Sequence, residues 1–231
     1  MPLSLFNARI FDLGMLTILV FYGGNTALFF VFVLYLQIGL GFSALAAGLT
    51  FVPLSLSFVL SSLLSPRLVP LFGTWVVRGG TIIMVLGELW TLLTVQQAGL
   101  VVQGQQLLAP FLVIGIGQGM ILALLIPMIL TGIQVHHAGA ASGVLTTTMQ
   151  IAGALGVAVI GIIFFAVLGK PSPVQPLHLA HTYGRAFVVS LLAIILLAGA
   201  TLICIWLLSS TKQAKQDKQA NTQSTKTKVS P

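Results

Sequence analysis

The chain has 231 residues, 57% of them hydrophobic and only 6% charged. A soluble domain carries roughly 25% charged residues because its surface must be solvated, so this composition excludes one and calls for lipid. The net charge of +7 does not argue for nucleic acid, because five of the ten basic residues fall in the last twenty positions, after the final apolar run.

A span needs about 20 mostly apolar residues to cross roughly 30 Å of hydrocarbon, and six segments qualify. The first is expected over Leu13 to Ile38. Met1 to Asp12 holds one Arg and one Asp, and the apolar run beyond it is too long for a signal h-region, so a retained helix is expected. Tyr22, Asn25, Thr26 and Phe29 recur at i, i+3, i+4 and i+7 and share one face, with Gly23 and Gly24 beside them. The second span is expected over Ala44 to Leu64, followed by a loop from Ser65 to Thr74. The third, Trp75 to Val95, contains Glu88, the only acidic residue deep within a span. An ionised group there costs about 2.5 to 3.5 kcal/mol on insertion scales. Glu88 is therefore read either as a proton carrier or as a neutral, hydrogen-bonded carboxyl.

Gln96 to Gln105 is a polar, uncharged loop. The fourth span, Gln106 to Leu130, carries Gly115, Gly117 and Gly119, with Gln118 and Met120 interleaved. His136 and His137 follow in the loop Thr131 to Ala138. Adjacent histidines point to different faces of a helix, so no metal site is expected of them. The fifth span is expected over Gly139 to Leu168. One of its faces collects Gly139, Ser142, Gly143, Thr146, Gln150, Gly153, Ala154 and Gly161; the other is aliphatic. Small residues let helix backbones approach closely, so Gly139, Gly143, Gly153 and Gly161, with Gly115 and Gly119, read as packing seams. Thr146 and Gln150 read equally as cavity lining or as interhelical hydrogen-bond partners.

A Pro-rich loop, Gly169 to Gly184, contains His178 and His181 with no Cys or carboxylate nearby. The sixth span is expected over Arg185 to Leu208 and holds Cys204, the chain's one cysteine, as a small packing residue. A lone cysteine excludes a disulfide framework or a multi-cysteine zinc site. Residues 209–231 are rich in Lys, Gln, Thr and Ser, which bury little apolar surface, and are expected as a disordered basic tail beyond a six-helix domain of residues 1–208. With the N-terminus inside, Lys and Arg divide eight to two in favour of the cytoplasmic side, which predicts N-in, C-in.

The stretch GAASGVLTTTMQIAGALGVAVIG resembles the penultimate helix of major facilitator superfamily drug:proton antiporters, the fourteen-span EmrB/QacA type. Other stretches resemble that family in the same order: LFNARIFDLG its lead-in to the C-terminal half, Phe29 to Gly73 the first helix pair and the loop beyond, and VIGIGQGMILALLIPM the fourth helix of that half. The loop around Arg67 to Arg78 resembles the weaker copy of the superfamily's cytoplasmic signature, matching at Leu68 and Gly73 and departing at Pro70. Nothing here corresponds to the membrane-embedded acidic and arginine residues of the family's N-terminal half.

The resemblance covers Leu5 to Leu208 and implies an all-α, polytopic half-bundle of the major facilitator fold, a 3+3 inverted repeat. It implies transport by alternating access: the C-terminal half of a proton-coupled multidrug exporter, incomplete alone. Tyr22, Asn25, Thr26, Phe29, Gln118, Met120, Thr146 and Gln150 would then line a cavity for lipophilic or cationic small molecules. The same resemblance puts the third helix at the periphery, which weighs against Glu88 as the coupling residue. The expected partners are the lipid bilayer, protons and an N-terminal half-transporter or a second copy, with no nucleic acid, cofactor or metal. The expected location is a prokaryotic plasma membrane. No enzyme motif occurs in a plausible context. A non-transporting membrane partner protein and a homodimeric six-helix carrier stay open as alternatives.

Overall fold

The computed structural model describes residues 9–98, 102–130, 138–169 and 176–229, with side chains described for 12–98, 102–130, 138–169 and 181–208. Among them are six long helices: α1 (Arg9–Leu34), α2 (Ala44–Phe72), α3 (Trp75–Ala98), α4 (Gly104–Leu130), α5 (Ala138–Leu168) and α6 (Pro176–Val229). Each contains a run long and apolar enough to cross a membrane. A backbone in lipid has no water to bond, so such runs satisfy themselves as helices.

Three boundaries differ from the sequence reading. α1 continues into a π-helical turn, Tyr35–Gly39, closed by the Leu40 N–H donating to the Tyr35 carbonyl at 2.9 Å. α2 passes through Pro66 and Pro70 to Phe72, so the expected ten-residue loop shrinks to Gly73 and Thr74. A proline costs one helical hydrogen bond, but unwinding two turns in apolar surroundings would strand more backbone groups. Gly73 ends the helix at φ +55°, a conformation that suits glycine, and its N–H reaches the Val69 carbonyl at 2.7 Å. α6 starts at Pro176, and its helix runs to Val229, through the Lys- and Gln-rich stretch, although the apolar part ends at Leu208. Lys, Gln and Ala are good helix formers, which composition alone does not weigh against their solubility.

The helices pair as α2 with α4, α3 with α4, α1 with α5, α1 with α6, α3 with α6 and α5 with α6. Advancing every helix by three turns α2–α4 into α5–α1 and α3–α4 into α6–α1, and leaves α3–α6 in place. The pairing therefore repeats after three helices, except that α5 packs more closely on α6 than its counterpart α2 does on α3. Contact order along the pairs gives their sense. Ser57 and Ser61 of α2 meet Gly115 and Gly119 of α4 in rising order, so those helices are parallel. Gly80 and Gly87 of α3 meet Met120 and Ile114 of α4 in opposite order, so those are antiparallel. Gly24 and Gly39 meet Leu197 and Tyr183 in the same reversed way. Directions alternate along the chain, so the two three-helix units are inverted and the two ends of the six spans share one side.

The tightest approaches use small residues. A Cβ on Gly115 would overlap the Ser57 hydroxyl and the Leu54 carbonyl, and one on Gly119 the Ser61 hydroxyl and the Phe58 carbonyl. One on Gly117 would press on Gly80 and Met84 of α3. The alternating glycines thus let α4 be gripped by α2 on one face and α3 on the other. The repeat-related seam is Gly156 of α5 against the Gly23 backbone of α1. Larger rings fill the middle, where Phe32 lies 4.7 Å from Phe111 and 4.9 Å from Phe187 between centroids. Tyr35 stacks on Phe187 at 4.5 Å.

Replacing Gly156 with Leu should force α1 and α5 apart and lower stability by about 1–3 kcal/mol. Gly139→Ala should leave it unchanged, since nothing lies within 4 Å there. Thermal unfolding of the two variants in detergent checks the pair.

Candidate functional site

α1 and α4 meet along a single line. Gly14 abuts Ile129, Asn25 bonds Gln118, and the Phe32 ring packs on Phe111. Along α1 these contacts are eleven and then seven residues apart, and along α4 the same steps run backwards. Seven and eleven residues are about two and three helical turns, so each set falls on one stripe and the two stripes run antiparallel. A polar contact lies near the centre of that line: Gln118 Nε2 donates to Asn25 Oδ1 at 2.8 Å. Gln118 is buried, while Asn25 is half-buried.

The other sequence-derived residues divide around this pair. Thr26 is exposed beside Gly153 of α5, and Thr146 and Gln150 are exposed two turns and one turn before Gly153 on that helix. Thr146 donates back to the Ser142 carbonyl at 3.0 Å. Phe29 lies against Phe51 of α2 at 5.5 Å, and Tyr22 edges onto Phe21 at 5.8 Å. Met120 is half-buried on the far side of α4, where it lines an apolar groove of about 400 Å³ with Leu56, Leu60, Leu64, Leu112 and Ile116. Ser57, Ser61 and Ser65 also border this groove, but their hydroxyls donate to helix carbonyls, so its wall stays apolar. The structure thus places a polar, small-residue face on α1 and α5 and an oily groove on α2 and α4, with Asn25–Gln118 between them.

Gly139 and Gly143 meet nothing within 4 Å in this chain. Gly153 sits against Thr26 and Gly161 against Phe30. Of the four, Gly161 is buried; the rest of the buried stripe of α5 is Ala141, Leu145, Ala152, Gly156, Ile160 and Phe164. It follows mainly the i+4 row, which turns by about 40° per step, as expected where helices cross at an angle. A face drawn straight down the helix misses most of it. Gly156 and Gly23 are the residues the sequence reading passed over; a small residue on each of two helices was the available signal. α2 and α5 are the least covered spans, 28% buried each against 50–56% for α1, α3 and α4. They hold the most surface for something outside the chain.

Glu88 lies a little past the middle of α3, 2% exposed and facing the bundle rather than lipid. Arg78, in the first turn of α3, is also buried, with its guanidinium 5.1 Å from the Trp75 ring and 6.0 Å from Trp206. Arg67 is exposed in the last turns of α2. His136 and His137 lie outside the described residues, as does the side chain of His178, and His181 is exposed where the sixth span begins. Among the described residues no group of three His, Cys, Asp or Glu side chains comes together to hold a metal.

No protein-family model matches the chain. It is 36% identical over 169 residues, 73% of its length, to a protein of Streptomyces coelicolor named "Probable actinorhodin transporter", covering 29% of that protein. It is 35% identical over 211 residues, 87% of its length, to "Cephamycin export protein CmcT" of Amycolatopsis lactamdurans, covering 40% of it. Both relatives are bacterial transport proteins. The chain spans less than half the length of either. With six membrane-crossing helices, this similarity makes the chain a multi-pass protein of a prokaryotic plasma membrane, and its relatives are transporters rather than enzymes.

Replacing Asn25 with Ala should leave the buried Gln118 amide without its partner and cost about 1–3 kcal/mol. Replacing both residues with Leu should recover most of that loss. A double-mutant cycle on thermal stability in detergent reads the coupling, expected near the 0.6–1.7 kcal/mol span of about this class of intramembrane bond.

Proposed function

We propose that this chain forms the C-terminal half of a proton-coupled small-molecule exporter of the major facilitator superfamily, of the EmrB/QacA type, oriented N-in, C-in. The observation that carries the reading is the helix pairing that repeats after three helices, with α1 and α4 exchanged about Asn25–Gln118. Inverted repeats of this kind place substrate sites near the bilayer midplane at the repeat interface.

The uncovered faces fit the same reading. The exposed Ser142, Thr146, Thr147 and Gln150 on α5 are polar groups that lipid would not favour, so they suit a cavity or a second helical half. The α2–α4 groove is large enough and apolar enough for a lipophilic substrate, with Met120 as an adaptable wall. A complementary half docked over α2 and α5 would close both into one central cavity. Transport would then proceed by rocking the two halves around that cavity. The relatives' names, one for actinorhodin and one for cephamycin, favour a second reading in which one defined small molecule is exported rather than many drugs.

The test is efflux of the lipophilic cation ethidium from a drug-sensitive bacterial host. Expression with a matching N-terminal half should give efflux that a protonophore abolishes, and the chain alone should give none. Met120→Ala and Gln118→Ala should each reduce paired efflux several-fold. Efflux by the chain alone, indifferent to both substitutions, would sink the proposal. Paired transport of a single compound with no ethidium efflux would select the second reading.

A further inference from the structure

Glu88 is a carboxyl group that the packing leaves unfinished. Its Oε2 is fully enclosed and has no hydrogen-bond partner. Buried polar atoms are nearly always bonded, to protein or to ordered water. Glu88 borders a small cavity between α1, α3 and α6, about 10 Å³ when measured as room for the centre of a water molecule. That is close to the space one water needs, provided it finds two to four polar partners. The partners are at hand, because Asn25 and Thr201 line the same cavity. The Thr201 hydroxyl donates to the Leu197 carbonyl at 2.9 Å, which leaves its lone pairs free to accept. Asn25 in turn is bonded to Gln118. A water in this cavity would join the carboxyl to the amide pair, from the interior of α3 to half-exposed Asn25 on α1.

We propose that Glu88 is an exchangeable proton-binding site, connected through one water to the half-exposed Asn25 on α1. The proposal rests on the reading of the chain as half of a proton-coupled exporter. In the loaded form the carboxylic O–H donates to the water. On release that O–H bond breaks, its electron pair stays on the carboxylate, and the water takes the proton outward past Asn25. Uptake is the reverse. An ionised carboxylate in this packing is costly, so release goes with a loosening of α1 from α3 and α6 that admits more water. No other titratable side chain among the described residues lines the cavity. The nearest on the packed helices are Tyr22 on α1, Cys204 on α6 and Arg78 ten residues earlier on α3; Asp12, Tyr35 and Arg185 lie further along α1 and α6, and α4 has none.

The chain has only two other side-chain carboxyls, Asp12 and Asp217, which makes infrared spectroscopy of the full chain in liposomes decisive. The neutral-carboxyl C=O band should be present in neutral buffer, shift on transfer to D2O, and vanish in E88Q, whose amide keeps the volume and lets the protein elute as wild type does. N25L should keep the band and slow its deuterium shift tenfold or more. Four results would overturn the site: no neutral-carboxyl band, a band that never exchanges, N25L exchange as fast as wild type, or loss of the band on adding sodium at fixed pH, which marks a cation site instead. If paired ethidium efflux fails while these infrared results hold, the exporter reading falls and the proton site stands. The opposite pattern removes the site alone.

Discussion

In lipid no hydrophobic force pushes one helix against another, so helices hold where their backbones can come close enough for dispersion to accumulate. Everything else in this bundle depends on that constraint. Gly115 and Gly119 receive Ser57 and Ser61 of α2, and Gly156 receives Gly23 of α1. These two seams stand in equivalent places of the repeated pairing, and each joins one three-helix unit to the other. Ser61 adds a hydrogen bond across its seam, to the Gly115 carbonyl at 3.4 Å. Each seam clamps an outer helix, α2 or α5, to an inner one, α4 or α1.

With the outer helices held by small residues, the inner pair is free to carry large and polar ones. α1 and α4 meet through Phe32–Phe111 and Asn25–Gln118, side chains too big for a backbone seam. Their separation makes room for an amide pair in mid-bundle and, behind it, for the cavity at Glu88. Polar groups inside a membrane are expensive and mark functional paths by default. Three of them, Asn25, Gln118 and Glu88, lie around one point of the fold, apart from buried Arg78 in the first turn of α3.

Much of this was legible in the residues. Six apolar runs fixed the number of helices, because lipid leaves a chain few alternatives. Asn25 and Gln118 were picked out separately as polar residues in apolar runs, but no periodicity within one helix reveals that two helices share a hydrogen bond. The same limit hid the Gly23–Gly156 seam, whose buried stripe slants across α5 and mixes Ala and Gly with Leu, Ile and Phe. Apolar length puts the end of α2 at Leu64, yet the helix runs on through Pro66 and Pro70 to Phe72, because a freed carbonyl finds no other partner in lipid. Glu88 was visible as an oddity, yet its inward orientation follows from α3 packing on α4 and α6.

The constant register along α1 and α4 also limits how this unit can move. If α4 slid by one turn against α1, Gln118 would leave Asn25 and face Phe21 or Phe29, and the Phe32–Phe111 contact would be lost at the same time. A piston stroke would therefore break the polar centre and the aromatic centre together. Tilting about the Asn25–Gln118 bond keeps that bond and shifts the Phe32–Phe111 contact, about two turns away, by less than a full-turn slide would. The amide pair is in this sense a pivot, and the inner helices are built to swing around it rather than to slide.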